Sequence, residues 1–172
     1  MSISYFKLII LTLIIVIIQV SVIRPLGLTK AYVFADLPMA LLVALLFRVQ
    51  EKEAVPTGWL IGLIKDLFTS TPFGLYTLGF CLIAILFINI RRVIYARAAV
   101  RLILGGLVAV LLVEYGILTF EIFRGHYSAA AFKNLATIIL LSALITALIA
   151  PIFSLILGKF HKSLGLRSQI YK

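Results

Sequence analysis

The chain has little of what a soluble enzyme or a nucleic-acid-binding protein needs. Cysteine occurs once, at Cys81, so no intramolecular disulfide can form, and a lone thiol inside an apolar run reads as a small packing residue. Histidine occurs twice, at His126 and His161, whereas a protein metal site wants at least three ligands. Only six positions are acidic, against sixteen lysines and arginines. There is no internal repeat, no low-complexity linker, and no stretch polar enough for a soluble domain; the longest intervals between apolar runs are about ten residues.

What fills the chain instead is hydrocarbon. Apolar residues make up 63% of the 172 positions and charged residues 13%, where soluble domains carry about half and a quarter. Apolar runs of about 16 to 25 residues recur. At 1.5 Å per residue such runs cross a hydrocarbon layer of roughly 30 Å, some only with their flanks. The runs are continuous rather than alternating, which excludes a β-barrel. The expected fold is an all-α integral membrane bundle, one domain over residues 1–172. The net charge of +10 would suggest nucleic acid in a soluble protein. Here the basic residues lie between the runs, so they report topology and contact with anionic lipids, and no nucleic acid is expected.

Six spans are expected, at about 5–23, 31–49, 54–69, 72–90, 102–123 and 134–157. The first ends Ser-Val-Ile-Arg24-Pro25 without a small-residue cleavage pattern, so a retained span is expected rather than a removed signal. In the second, Asp36 can cap a helix with Pro38 in its first turn, leaving 31–35 as an irregular lead-in. The third carries Gly58-x-x-x-Gly62, a spacing that lets another helix approach closely. Ser70 or Thr71 can cap the fourth, with Pro72 in its first turn. Ala143-x-x-x-Ala147 lies in the sixth.

A cytoplasmic N-terminus puts Lys7, Arg48, Lys52, Arg91, Arg92, Arg97, Arg101, Lys159, Lys162, Arg167 and Lys172 on one side. Arg24, Lys30, Lys65, Arg124 and Lys133 fall on the other. This asymmetry predicts both termini in the cytoplasm.

The same topology gathers Asp36, Asp66, Glu114 and Glu121 in the outer half, while Glu51 and Glu53 read as a solvated cytoplasmic cluster with Arg48 and Lys52. Ionised side chains facing lipid cost several kcal/mol, so the outer acids should face the bundle interior or a wet cavity. Glu121 has Arg124 at i+3 as a candidate partner. Glu114 is the deepest and has no local cation, which leaves structural and functional roles both open. Asp66 sits near a helix C-terminus, against the macrodipole. Lys65 points about 100° away from it, so Arg24, Lys30 or the free N–H groups opening span four are better partners. A structural clamp on the span-three/span-four hairpin and a ligand or partner site are the two readings of Asp66. The histidines fall on opposite sides of the membrane, so no catalytic, cofactor or metal site is expected.

The hairpin Gly62-x-x-x-Asp66-x-x-x-x-x-Pro72-x-Gly74, followed by a leucine-rich run, resembles the rod shape-determining protein MreD family. So do Asp36-Leu37 opening the second span, the overall length and hydropathy, and the basic loop Arg91-Arg92-x-x-Tyr-x-Arg97, continued by Arg101. One departure is Ala35, where the family would place a proline directly before the acid; Pro38 follows instead. The resemblance implies a non-enzymatic scaffold in the bacterial inner membrane that serves cell elongation and peptidoglycan synthesis. Its expected partner is MreC, within a wider complex containing MreB, RodA and a transpeptidase. It also implies a six-helix fold similar to the S component of energy-coupling-factor transporters.

A substrate-binding S-component-like transporter subunit is the alternative function. Against it, that class couples through an Ala-x-x-x-Ala face on the first span, and span one here has no alanine. A proton-coupled carrier would rest on Glu114 alone.

Overall fold

The computed structural model describes residues 4–23, 35–90, 98–125 and 132–159. These residues form helices, with no strand among them. We label them α1 (Tyr5–Ile18), continued by a π-helical turn (Gln19–Ile23), α2 (Leu37–Leu46), α3 (Glu51–Leu67), α4 (Leu75–Ile90), α5 (Ala98–Phe123) and α6 (Phe132–Lys159). Arg91, Arg92, Arg97, Arg24, Lys30, both histidines and the C-terminal tail lie outside the described residues.

Helix α2 is the axis. Every residue from Pro38 to Leu46 is buried, so the helix is apolar all round because protein surrounds it. Asp36 caps its start, Oδ1 accepting the Met39 N–H at 3.3 Å, with Pro38 in the first turn. The helical part of the second predicted span is 10 residues, about 15 Å at 1.5 Å per residue, well short of a bilayer. Around α2 the other helices form an arc: α1 packs on α3, α3 on α4, α4 on α5 and α5 on α6, and each also touches α2. The two ends of that arc, α1 and α6, scarcely touch each other.

The tightest seam is α3 on α4. A Cβ added at Gly58 would stand 2.8 Å from the Phe80 carbonyl oxygen, and one at Gly62 would stand 2.7 Å from the Thr77 Cα. Backbone meets backbone there, and only hydrogen fits. Helices α5 and α6 use a looser version, Gly106 facing Ala147, with Ala143, Ala147 and Ala150 all buried.

At the end holding the α2 C-terminus, the Arg48 guanidinium reaches α6. It donates to the Ser154 carbonyl at 2.7 Å and to the Ser154 hydroxyl at 3.1 Å. Phe47 meets the Phe87 ring edge-on at 5.4 Å between centroids, and Arg101 lies over Phe47 at 5.8 Å. One expectation fails nearby. Helix α3 begins at Glu51, so Glu51 and Glu53 occupy its first turn, where negative charge complements the helix dipole. Glu53 is only 6% exposed and therefore is not part of a solvated loop cluster.

Segments Val100–Phe123 and Phe132–Lys159 are each long and apolar enough to cross a membrane. The outward faces of the shorter helices are also greasy: Phe6, Ile10, Ile14 and Ile18 on α1, and Leu78 and Leu82 on α4, are exposed.

Candidate functional site

At the opposite end of the bundle, charged residues meet in the interior. The last turn of helix α3 carries Lys65 and Asp66, both buried. Being adjacent on a helix they point about 100° apart, and the structure uses that divergence. Each side chain serves a different neighbour.

Asp66 turns toward α4. Its Oδ1 accepts the Tyr76 N–H at 3.1 Å, and its Oδ2 accepts the N–H groups of Gly74 at 3.1 Å and Thr77 at 2.9 Å. The Thr77 hydroxyl donates to Oδ2 at 2.5 Å. The first N–H groups of a helix have no partner within it, and they carry the positive end of its dipole. The last residues of α3 thus cap the first turn of α4. The loop between them returns through Gly74 at φ +99°, a left-handed conformation suited to glycine. This meets the expectation that Asp66 pairs with amides opening the fourth span. It corrects the expectation that Ser70 or Thr71 caps that span: α4 starts at Leu75, past Pro72, and Thr71 instead donates to the Thr69 hydroxyl. A carboxylate reaching back across the hairpin satisfies three amides where a local hydroxyl would satisfy one.

Lys65 turns toward α2. Its ammonium donates to Asp36 Oδ2 at 2.5 Å and stands 3.5 Å from Glu114 Oε1 on α5. It also lies over the Tyr76 ring, 3.7 Å from the centroid. The Tyr76 hydroxyl completes the circuit by donating to Glu114 at 3.3 Å. Glu114 therefore has a cation nearby, contrary to the expectation from its own helix. The Lys65 and Asp36 side chains are 6% and 7% exposed, whereas Glu114 is 24% exposed.

Two further links tie this cluster to the arc's ends. The Asp36 N–H donates to the Thr146 hydroxyl on α6 at 2.8 Å, and the Leu37 N–H donates to the Gln19 side-chain Oε1 at 3.1 Å. Gln19 opens the π turn of α1, so the widened turn lies where α1 reaches across to α2. A cavity of about 210 Å³ opens beside the cluster, lined from α1, the end of α3 and α6, with Asp36, Lys65, Tyr76 and Glu114 among its lining residues.

Of the other residues singled out from sequence, Gly58, Gly62 and Gly74 hold the hairpin that positions Lys65 and Asp66, and the Pro72 carbonyl accepts the Leu75 N–H at 3.3 Å. Glu121 is buried near the end of α5, outside the cluster, and the Arg124 cation lies over the Phe120 ring at 5.8 Å. Lys65, Tyr76 and Gln19 were not expected as site residues. The only advance signal was an unpaired lysine placed inside an apolar helix, which demands an acid from somewhere. Among the described residues no three His, Cys, Asp or Glu side chains converge to hold a metal ion.

The family model for the rod shape-determining protein MreD matches residues 1–160. No curated protein and no solved structure matches the chain. The Asp66 hairpin, the Asp36 cap and the apolar helices all fall within the matched region, and on that match the chain belongs to the MreD family of rod shape-determining membrane proteins.

Proposed function

We propose that the chain is a non-enzymatic scaffold of the bacterial cell-elongation complex, binding MreC and helping to organise peptidoglycan synthesis. The observation that carries this reading is the family match over residues 1–160. The geometry supports it. Asp66 is saturated by the start of α4, and Lys65 is held by Asp36. Groups bound so fully to their own fold serve architecture better than chemistry. The bundle crosses the inner membrane six times, with an arrangement like that of S components and both termini in the cytoplasm. In that orientation the Asp66 hairpin faces the periplasm. The basic segment of Arg91, Arg92, Arg97 and Arg101 faces anionic lipid and the cytoplasmic partners, MreB among them. RodA and its transpeptidase belong to the wider assembly.

The test is affinity capture of the tagged full chain co-expressed with MreC in mild detergent. Retention of MreC through purification supports the scaffold. Its absence, together with a vitamin-sized compound in the purified protein, would favour the transporter subunit.

A further inference from the structure

The apolar belt of the bundle is uneven. Helix α5 has 26 residues and α6 has 28, about 39 and 42 Å at 1.5 Å per residue. Both exceed a hydrocarbon layer of roughly 30 Å. Helix α3 has 17 residues and α4 has 16, about 26 and 24 Å. The short pair and the long pair lie on different flanks, because α4 and α5 are neighbours in the arc, with α3 beyond one and α6 beyond the other.

Polar groups fix both margins of the short flank. At one margin Glu51 and Lys52 open α3 and Asn89 lies one residue from the end of α4, all three exposed. Arg91 and Arg92 follow α4 directly in sequence. At the other margin the turn between the helices carries Ser70, also exposed. Between these margins the outward residues are apolar: Trp59 and Leu67 on α3, and Leu78, Leu82 and Ile85 on α4. Phe73, exposed in the turn, suits the interface level where aromatic rings gather.

A helix longer than the hydrocarbon layer fits by tilting, but tilting a helix that is too short only shortens its reach. The bilayer must then come to the helix. We propose that the bundle thins the bilayer along its α3–α4 flank and so selects lipids of shorter acyl chain there. Recognition is by length, and headgroup chemistry plays no part in it. A thinned patch also gives a neighbouring protein with an equally short span a reason to gather on that flank. The inference rests on the bundle being embedded in a membrane, which the family match and the two long helices support, and not on MreC.

Trp59 is the only tryptophan in the chain, and at 52% exposure halfway along α3 it reports on the lipids of that flank. The full-length chain is reconstituted in phosphatidylcholine bilayers that contain one brominated phosphatidylcholine at a time. Acyl chains are chosen to be shorter than, equal to and longer than those that match a layer of roughly 30 Å. Quenching of Trp59 fluorescence gives the relative affinity of each lipid. The expected result is that the short-chain lipid binds about threefold more tightly than the matched one, for a mismatch of roughly 6 Å at a small cost per ångström. A second reporter, Leu148→Trp in a Trp59→Phe background, reads the exposed face near the middle of α6. There the preference is absent or reversed. Indifference to chain length at Trp59 overturns the proposal and needs no variant to fold. So does an equal short-chain preference at both reporters, which would make the belt uniformly thin. Loss of MreC binding changes neither reading.

Discussion

Asp66 and Thr77 touch twice: the Asp66 carboxylate accepts both the Thr77 N–H at 2.9 Å and its hydroxyl at 2.5 Å. Eleven residues apart in sequence, they lock the end of α3 to the start of α4. Replacing Asp66 by alanine strands the amides of Gly74, Tyr76 and Thr77 in a buried turn. The expected loss is about 2–4 kcal/mol, from a missing cap and from donors left unsatisfied. Asp66→Asn keeps one acceptor oxygen and should lose less. Thermal unfolding in detergent would rank the two variants, and equal melting temperatures for both and the wild type would refute the clamp.

Gly62 in the α3–α4 seam and Gly116 on α5 should respond in opposite ways to an added methyl group. A Cβ at Gly62 meets the Thr77 Cα at 2.7 Å and the Tyr76 carbonyl at 2.9 Å, so Gly62→Ala must push two backbones apart. Overpacking of this kind costs about 1–3 kcal/mol. Gly116, in the middle of α5, has nothing within 4 Å of an added Cβ. Gly116→Ala should be neutral or stabilising by about 0.5–1 kcal/mol through helix propensity. Unfolding midpoints moving in the same direction for both would contradict the packing described.

Lys65 and Asp36 should be strongly coupled. Lys65→Met leaves two carboxylates facing one another's field without their cation, a loss of about 3–5 kcal/mol for a broken buried pair. Asp36→Asn retains an acceptor for the Met39 amide and removes one of the charges. Combining the two should cost less than the sum of the single changes, with a coupling of about 1–3 kcal/mol in a double-mutant cycle. Additive effects would mean that the pair at 2.5 Å contributes nothing net.

At the other end, Arg48 joins α2 to α6 through the Ser154 carbonyl and hydroxyl. Arg48→Ala should destabilise by about 1.5–3 kcal/mol, the range for a hydrogen bond made by a charged group. Ser154→Ala removes only the hydroxyl contact and should have the smaller effect. The same unfolding assay checks the order, and a larger effect from Ser154→Ala would overturn it.

Much of this arrangement was legible because it is local. Asp36 two residues before Pro38 reads as a helix cap, and it caps α2. A carboxylate near the end of α3, followed by a break and a new apolar run, reads as a partner for free amides, and Asp66 takes three of them. Gly58 and Gly62 read as a close-approach face without naming the neighbour, which is α4. What sequence did not give was tertiary. Lys65 lies 29 residues from Asp36 and 49 from Glu114, and helical geometry says only that it points away from Asp66. Glu53 looked solvated because its neighbours Glu51 and Lys52 are exposed, yet helical phase turns it inward. The brevity of α2 was hidden as well. An apolar run records what excludes water, not where the helix inside it begins and stops.

We propose that the Asp66 hairpin is an architectural element of a shape-determining scaffold. The most direct measurement is MreC recovered with the tagged chain, comparing wild type with Asp66→Asn at matched expression in cells whose shape is scored in parallel. The expected result is that the wild type retains MreC and supports rods, while Asp66→Asn recovers less MreC and gives rounder cells. Full MreC recovery with unaltered rods in Asp66→Asn, at an unchanged melting temperature, would contradict it.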